Sequence, residues 1–159
     1  MTGKTFKVDV VEREAVECVG LKVRTTMESA ASDCPRLWYE TFGPRMEEVA
    51  SFPNVSYGIS LMTDETHFDY WAALPYRAGD AVPEGMGLIN LPAGQYAECH
   101  IASLDDLAEA YQHIFFAWGE AHKEYEFLHT VPSYELYPAD HAESGHISLY
   151  MPVKLREGT

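Results

Sequence analysis

Basic residues are scarce in this chain: 11 Lys and Arg stand against 25 Asp and Glu, for a formal charge of −14. Such a field repels phosphate backbones and anionic lipid surfaces, so neither a nucleic acid nor a membrane is expected as a direct partner. The acidic residues are spread along the chain, and a solvated surface accounts for most of them. Cysteine is equally sparse. Cys18, Cys34 and Cys99 are odd in number, far apart and without a CxxC pair, which excludes a disulfide framework and a zinc site as expectations and fits a reducing cytoplasm. No base or cation adjoins them in sequence, so none is read as a nucleophile. The N-terminus alternates polar and apolar residues and carries neither the apolar core of a signal peptide nor a membrane span. There is no HExxH or paired-His helix spacing; His141 and His146 lie in a polar loop and are read as solvated. Gly85-Met86-Gly87 lacks the lysine and helix of a phosphate cradle. No metal and no cofactor are expected.

What is present is apolar and aromatic: 47% of the 159 residues are hydrophobic and 13% are Phe, Trp or Tyr. That is enough to bury one core, so residues 1–159 are read as a single domain. Two-residue alternation from Ala15 to Thr26 predicts a strand. Asp33 and Pro35 suit the start of a helix carrying Leu37, Trp38, Phe42, Met46 and Val49, with a kink at Gly43-Pro44. Strands at 56–62 and 68–76 read as a hairpin about Thr63–Thr66. After a Gly/Pro/Ala-rich linker at about 77–87 the order begins again. A strand at 88–101 is interrupted at Pro92-Ala93-Gly94, and a helix follows Ser103 and Asp106, its stripe running through Leu107, Tyr111, Ile114, Phe115, Trp118 and His122. A second hairpin, at 133–138 and 147–153, flanks the loop Ala139–Gly145. Shifted by 77 residues, Ser56-Tyr57 falls on Ser133-Tyr134, Leu37-Trp38 on Ile114-Phe115 and Leu74-Pro75 on Met151-Pro152. The expected fold is therefore α+β: two tandem β-α-β-β units, at about 6–76 and 88–155, related by a pseudo-two-fold axis. Helices would cover one side of antiparallel sheets and a central ligand cleft would form on the other.

Strand alternation sorts the candidate site residues. In Tyr134-Glu135-Leu136-Tyr137, Glu135 and Tyr137 face one way, and in the partner strand Ile147, Leu149 and Met151 suit packing under the helices, leaving Ser148 and Tyr150 for the opposite face. If the hairpin register brings them together, Glu135, Tyr137, Ser148 and Tyr150 share one surface. The first repeat contributes Gly58, Ser60, Met62, Trp71 and Ala73, with Gly58 standing where the second repeat has Glu135. A carboxylate among rings suits either a cationic ligand whose flat body stacks on them or general acid–base chemistry. An ordinary solvent-facing Glu is the competing reading. Trp38 and Trp118, on helical stripes, are read as core. Trp71 is read as a pocket wall and Met62 as a lesser contact.

Leu91-Pro92-Ala93-Gly94-Gln95-Tyr96, the helix bearing Trp118, Tyr134–Tyr137 and Leu149–Lys154, with Leu37-Trp38 and Ser56-Tyr57-Gly58 in the first half, resemble the GyrI-like small-molecule-binding family, the effector-binding domain of AraC-type and MerR-type regulators. The resemblance runs from about Phe6 to Leu155. It implies paired β-α-β-β modules around a cleft for lipophilic, often cationic molecules, with the family's buried glutamate at Glu135 and a pocket aromatic at Tyr150. It implies three functions: a stand-alone receptor for lipophilic, cationic or polyaromatic compounds; a hydrolase of electrophilic, cyclopropane-type natural products in which Glu135 positions or activates water; or a gyrase-inhibitor-like interaction with a protein partner. With no helix-turn-helix segment before Phe6, a free-standing receptor or enzyme is expected. Ile101-Ala102-Ser103 departs from the family pattern after the first strand of the second half.

Overall fold

Two links of two residues each dictate the shape of the molecule. In the computed structural model, which describes residues 6–52, 54–128, 130–138 and 146–156, all strand pairs are antiparallel and eight strands run in the order β1-β6-β9-β8-β3-β4-β2-β5. They are β1 (Val8–Arg13), β2 (Val16–Thr26), β3 (Ser56–Met62), β4 (His67–Pro75), β5 (Gly87–Leu91), β6 (Gly94–Ile101), β8 (Ser133–Tyr137) and β9 (Ile147–Leu155). The short β7 (Tyr125–Phe127) extends the far end of β9. β1 and β2 sit six steps apart in that order, a separation of roughly 29 Å in a flat sheet, yet only Glu14 and Ala15 join them. A link of that length reaches about 11 Å. The same holds for β5 and β6 across Pro92 and Ala93. The sheet therefore has to curl until its ends approach.

Curling produces an inner and an outer face. The inner face is filled mainly by strand residues, among them Tyr57, Ile59, Trp71, Tyr96, Tyr134 and Tyr150, all buried. The outer face carries the helices. Helix α1 (Ala30–Arg36) runs on as a π-helical turn, Leu37–Phe42, and then tightens to a 3-10 segment, Gly43–Glu48. Helix α2 (Leu107–Gln112) likewise widens into a π turn, His113–Trp118, before a last turn at Gly119–Ala121. The first helical run seats Leu37 and Phe42 over β2 and β4 with Val19, Phe68 and Leu74. The second seats Ile114 and Trp118 over β6 and β9 with Cys99, Leu149 and Val153. The β-α-β-β order thus occurs twice, and the triplets β6-β9-β8 and β3-β4-β2 meet back to back at the β8–β3 pair.

The chain departs from the sequence expectation at several ends. α1 begins at Ala30, so Pro35 lies inside it, and Asp33 does not cap: its carboxylate accepts the Thr25 hydroxyl at 2.8 Å. Ser103 Oγ accepts from Asp105 N rather than from the third helical position, and the second helical run ends at Ala121, short of Glu124. The strand expected at 88–101 is two strands at opposite ends of the sheet, and β1 and β7 were not anticipated. The loop Ala139–Gly145, with His141, lies outside the described residues. Among the described residues no helix is long and apolar enough to cross a membrane.

Candidate functional site

The β3–β8 junction places Gly58 directly opposite Glu135. These are the same position in the two repeats, 77 residues apart, so the pseudo-two-fold axis passes through the pair. A side chain on such an axis competes with its own mate for one volume. Two carboxylates there would meet as like charges, whereas a glycine leaves the space to one. A Cβ added at Gly58 would run into the Tyr70 hydroxyl and stand 3.0 Å from Glu135 Oε1.

Glu135 is 6% exposed and lies on the outer face, beneath the seam between the two helical runs. Tyr111 of α2 donates its hydroxyl to Oε2 at 2.6 Å, and Tyr137 donates to Oε1 at 2.5 Å. From the first helical run, Trp38 Nε1–H donates to Tyr70 Oη at 2.9 Å, and the Trp38 ring meets that of Tyr137 edge-on at 5.6 Å. Cys34 of α1 is close enough that the charge of Glu135, added to burial, pushes its thiol up to about 12. Burial raises the Glu135 carboxyl above its ordinary range, opposed by the Tyr111 and Tyr137 hydrogen bonds. Burial and the nearby carboxylate together hold the hydroxyls of Tyr70, Tyr111 and Tyr137 protonated; Tyr111 and Tyr137 donate to Glu135, while the Tyr70 oxygen accepts from Trp38. None of the ion pairs among the described residues involves Glu135. The arrangement is a buried acid, ringed by hydroxyls and π faces, without a cationic partner among the described residues.

The expected site residues divide between the two faces. Tyr137 and Gly58 join Glu135. Met62 shares their face but stands exposed at the hairpin end of β3. Tyr150 and Ser148 lie on the inner face, because β9 pairs one residue out of the anticipated register: Glu135 is opposite Leu149, and Tyr134 is opposite Tyr150. Leu149, Glu135 and Gly58 therefore share the helix side. Trp71 is opposite Ile59 and so faces away from Gly58. Sequence reasoning missed Tyr70, Tyr111, Trp38 and Cys34 as neighbours of Glu135. Tyr111 and Trp38 sat on apolar stripes that read as core, and the available signal was their polar tips, which need a partner when buried. Two open surface hollows, about 450 Å³ beside Phe115, Tyr125 and Phe127 and about 480 Å³ at the Met62–Glu65 turn, are lined by none of the groups around Glu135; of the expected site residues Met62 alone lines one of them.

A family model described as "Cass2: Integron-associated effector binding protein" matches residues 9–153. The chain belongs to this family. The chain is also 36% identical over 109 residues to the transcriptional regulator BrlR of Pseudomonas aeruginosa, a match covering 67% of this chain and 39% of that regulator. It thus spans about two fifths of the length of the curated relative it matches. Its fold is that of an integron cassette protein from the mobile metagenome of Vibrio cholerae (TM-score 0.66, 14% identity, 94% of this chain and 97% of that one). It is also that of SAV2435, whose structure is bound to tetraphenylphosphonium (0.66, 13%, 93% and 94%). The EcmrR C-terminal domain superposes similarly (0.65, 13%, 96% and 100%). The GyrI-like effector-binding resemblance read from the sequence is therefore the family of the chain.

Proposed function

We propose that this chain captures a lipophilic organic cation, with Glu135 as the counter-charge and the rings of Tyr70, Tyr111, Tyr137 and Trp38 as the walls. The observation that carries this reading is the buried, cation-free carboxylate on the pseudo-two-fold axis. A buried carboxylate without a cation is destabilising in its charged form, and a bound cation supplies the missing partner while its apolar groups replace water against the rings. Both oxygens already accept tyrosine hydroxyls, which favours a ligand whose charge is spread over an apolar body over one that needs its own N–H bonds. The tetraphenylphosphonium held by SAV2435 is of that kind. Glu135 lies under both helical runs, so entry requires the Trp38 and Tyr111 side chains to part. The negative surface draws cations toward the protein, and the three free cysteines fit a cytoplasmic site of action.

Calorimetric titration of tetraphenylphosphonium and of neutral triphenylphosphine oxide into the wild type and Glu135→Gln tests the proposal. The cation should weaken by about tenfold or more in the variant, since each 1.4 kcal/mol is a factor of ten, and the neutral compound should change little. Equal cation affinity in both proteins would overturn the assignment.

A further inference from the structure

The inner face, which the effector site does not use, carries a second ordered set of polar side chains where β6 and β9 pair. His100 stands opposite Ser148, and Glu98 stands opposite Tyr150, so the two cross-strand pairs are neighbours on one face. Ser148 Oγ lies 2.7 Å from His100 Nδ1, and His100 Nε2 lies 3.2 Å from Glu98 Oε1. The other Glu98 oxygen accepts the Tyr150 hydroxyl at 2.9 Å, which fixes the carboxylate. The Glu98 side chain is 19% exposed and the His100 side chain 66%, so the carboxylate is sheltered while the imidazole meets solvent. A carboxylate at Nε2 favours the tautomer with its proton there, leaving Nδ1 free to accept from the serine. A hydroxyl, a base within hydrogen-bond reach and an acid that orients the base are the parts of an activated nucleophile, recognised by geometry and roles rather than by order in the chain.

We propose that Ser148, His100 and Glu98 form an acyl-transfer centre for small activated carboxylic esters, separate from the effector site. Ser148 Oγ forms a bond to the ester carbonyl carbon as its proton passes to His100 Nδ1. Collapse of the tetrahedral adduct breaks the bond to the leaving oxygen, which takes that proton from His100. A water, deprotonated by the same nitrogen, then attacks the acyl-serine and releases the carboxylic acid, restoring Ser148. Glu98 is a positioning residue, holding the imidazole in its orientation and tautomer through the contact to Nε2. The open, solvent-facing imidazole limits the class to esters compact enough to approach a sheet surface. Arg13, its guanidinium 4.4 Å from the Tyr150 ring centroid and bonded through Nε to the Tyr134 hydroxyl, brings positive charge to the same face.

The full chain would be incubated with a fluorophosphonate probe and its peptides mapped, and hydrolysis of p-nitrophenyl acetate would be followed in parallel. The expected result is an adduct on Ser148 and turnover that drops about 100-fold or more in Ser148→Ala and in His100→Ala, as for loss of a nucleophile or general base. Glu98→Gln should lower kcat with KM within about twofold, the split expected when a residue acts on the barrier rather than on binding. Glu65→Gln, at the exposed turn between β3 and β4 and remote from both sites, should hydrolyse the ester at the wild-type rate. Ser148 and His100 are at least partly exposed, and melting curves of the variants establish that they fold. Labelling elsewhere, or a Ser148→Ala rate equal to wild type, would overturn the proposal and leave a cross-strand polar ladder.

Discussion

Glu135 combines two opposing influences in one side chain. Burial raises its pKa while the Tyr111 and Tyr137 hydroxyls pull it down, and burial prevails. A carboxyl whose folded pKa lies above its unfolded value binds more protons in the folded chain. Its contribution to stability is therefore complete below the unfolded pKa and is lost as pH rises through the folded one. Glu135→Gln removes that titration and keeps a neutral group of similar shape. Denaturant melts across pH should show wild-type stability falling relative to the variant from the ordinary carboxylate range upward, and the variant should be the more stable at the alkaline end. Parallel curves would mean that the carboxylate is solvated. The sequence pointed to Glu135 through its Gly58 counterpart, because a repeat that breaks its own pattern at one position marks that position. It did not point to Tyr70 or Tyr111: a tyrosine on a buried stripe and a tyrosine reaching a carboxylate have the same spacing.

At the scale of elements, the β3–β8 junction holds the site open. Gly58→Ala places a methyl against the Tyr70 hydroxyl and Glu135 Oε1, within a packed core and not at its rim. Overpacking of this kind costs about 1–3 kcal/mol, measurable as a lower denaturation midpoint with an unchanged m-value, and it should weaken cation binding as well. An alanine variant as stable as wild type would show that the tyrosine ring gives way freely. Register explains the errors made from sequence here. Alternation within 134–137 was read with the correct faces, but strand alternation says nothing about how β8 slides along β9. A shift of one residue moves Tyr150 and Ser148 to the other side of the sheet. The helices were legible from their stripes, whereas their widening into π turns at matching places, Leu37–Phe42 and His113–Trp118, was not.

The whole molecule is a sheet bent until its ends nearly meet, with its helices outside and a strand-built aromatic core within. The repeat and the α+β class were readable because element order and apolar pattern recur together. The curl was not, since it depends on β1 pairing with β6 and β5 with β2, long-range choices that six-residue and five-residue strands do not advertise. Curling turns the Gly58–Glu135 axis outward beneath both helical runs, and so makes one acid the meeting point of both halves. The account rests on that acid lacking a cation until a ligand brings one. Titrating tetraphenylphosphonium in buffers of different ionisation enthalpy, at a series of pH values rising from the ordinary carboxylate range, counts the protons exchanged on binding. Proton release by the wild type and none by Glu135→Gln is the predicted result. Cation binding by the wild type with no proton released would contradict it.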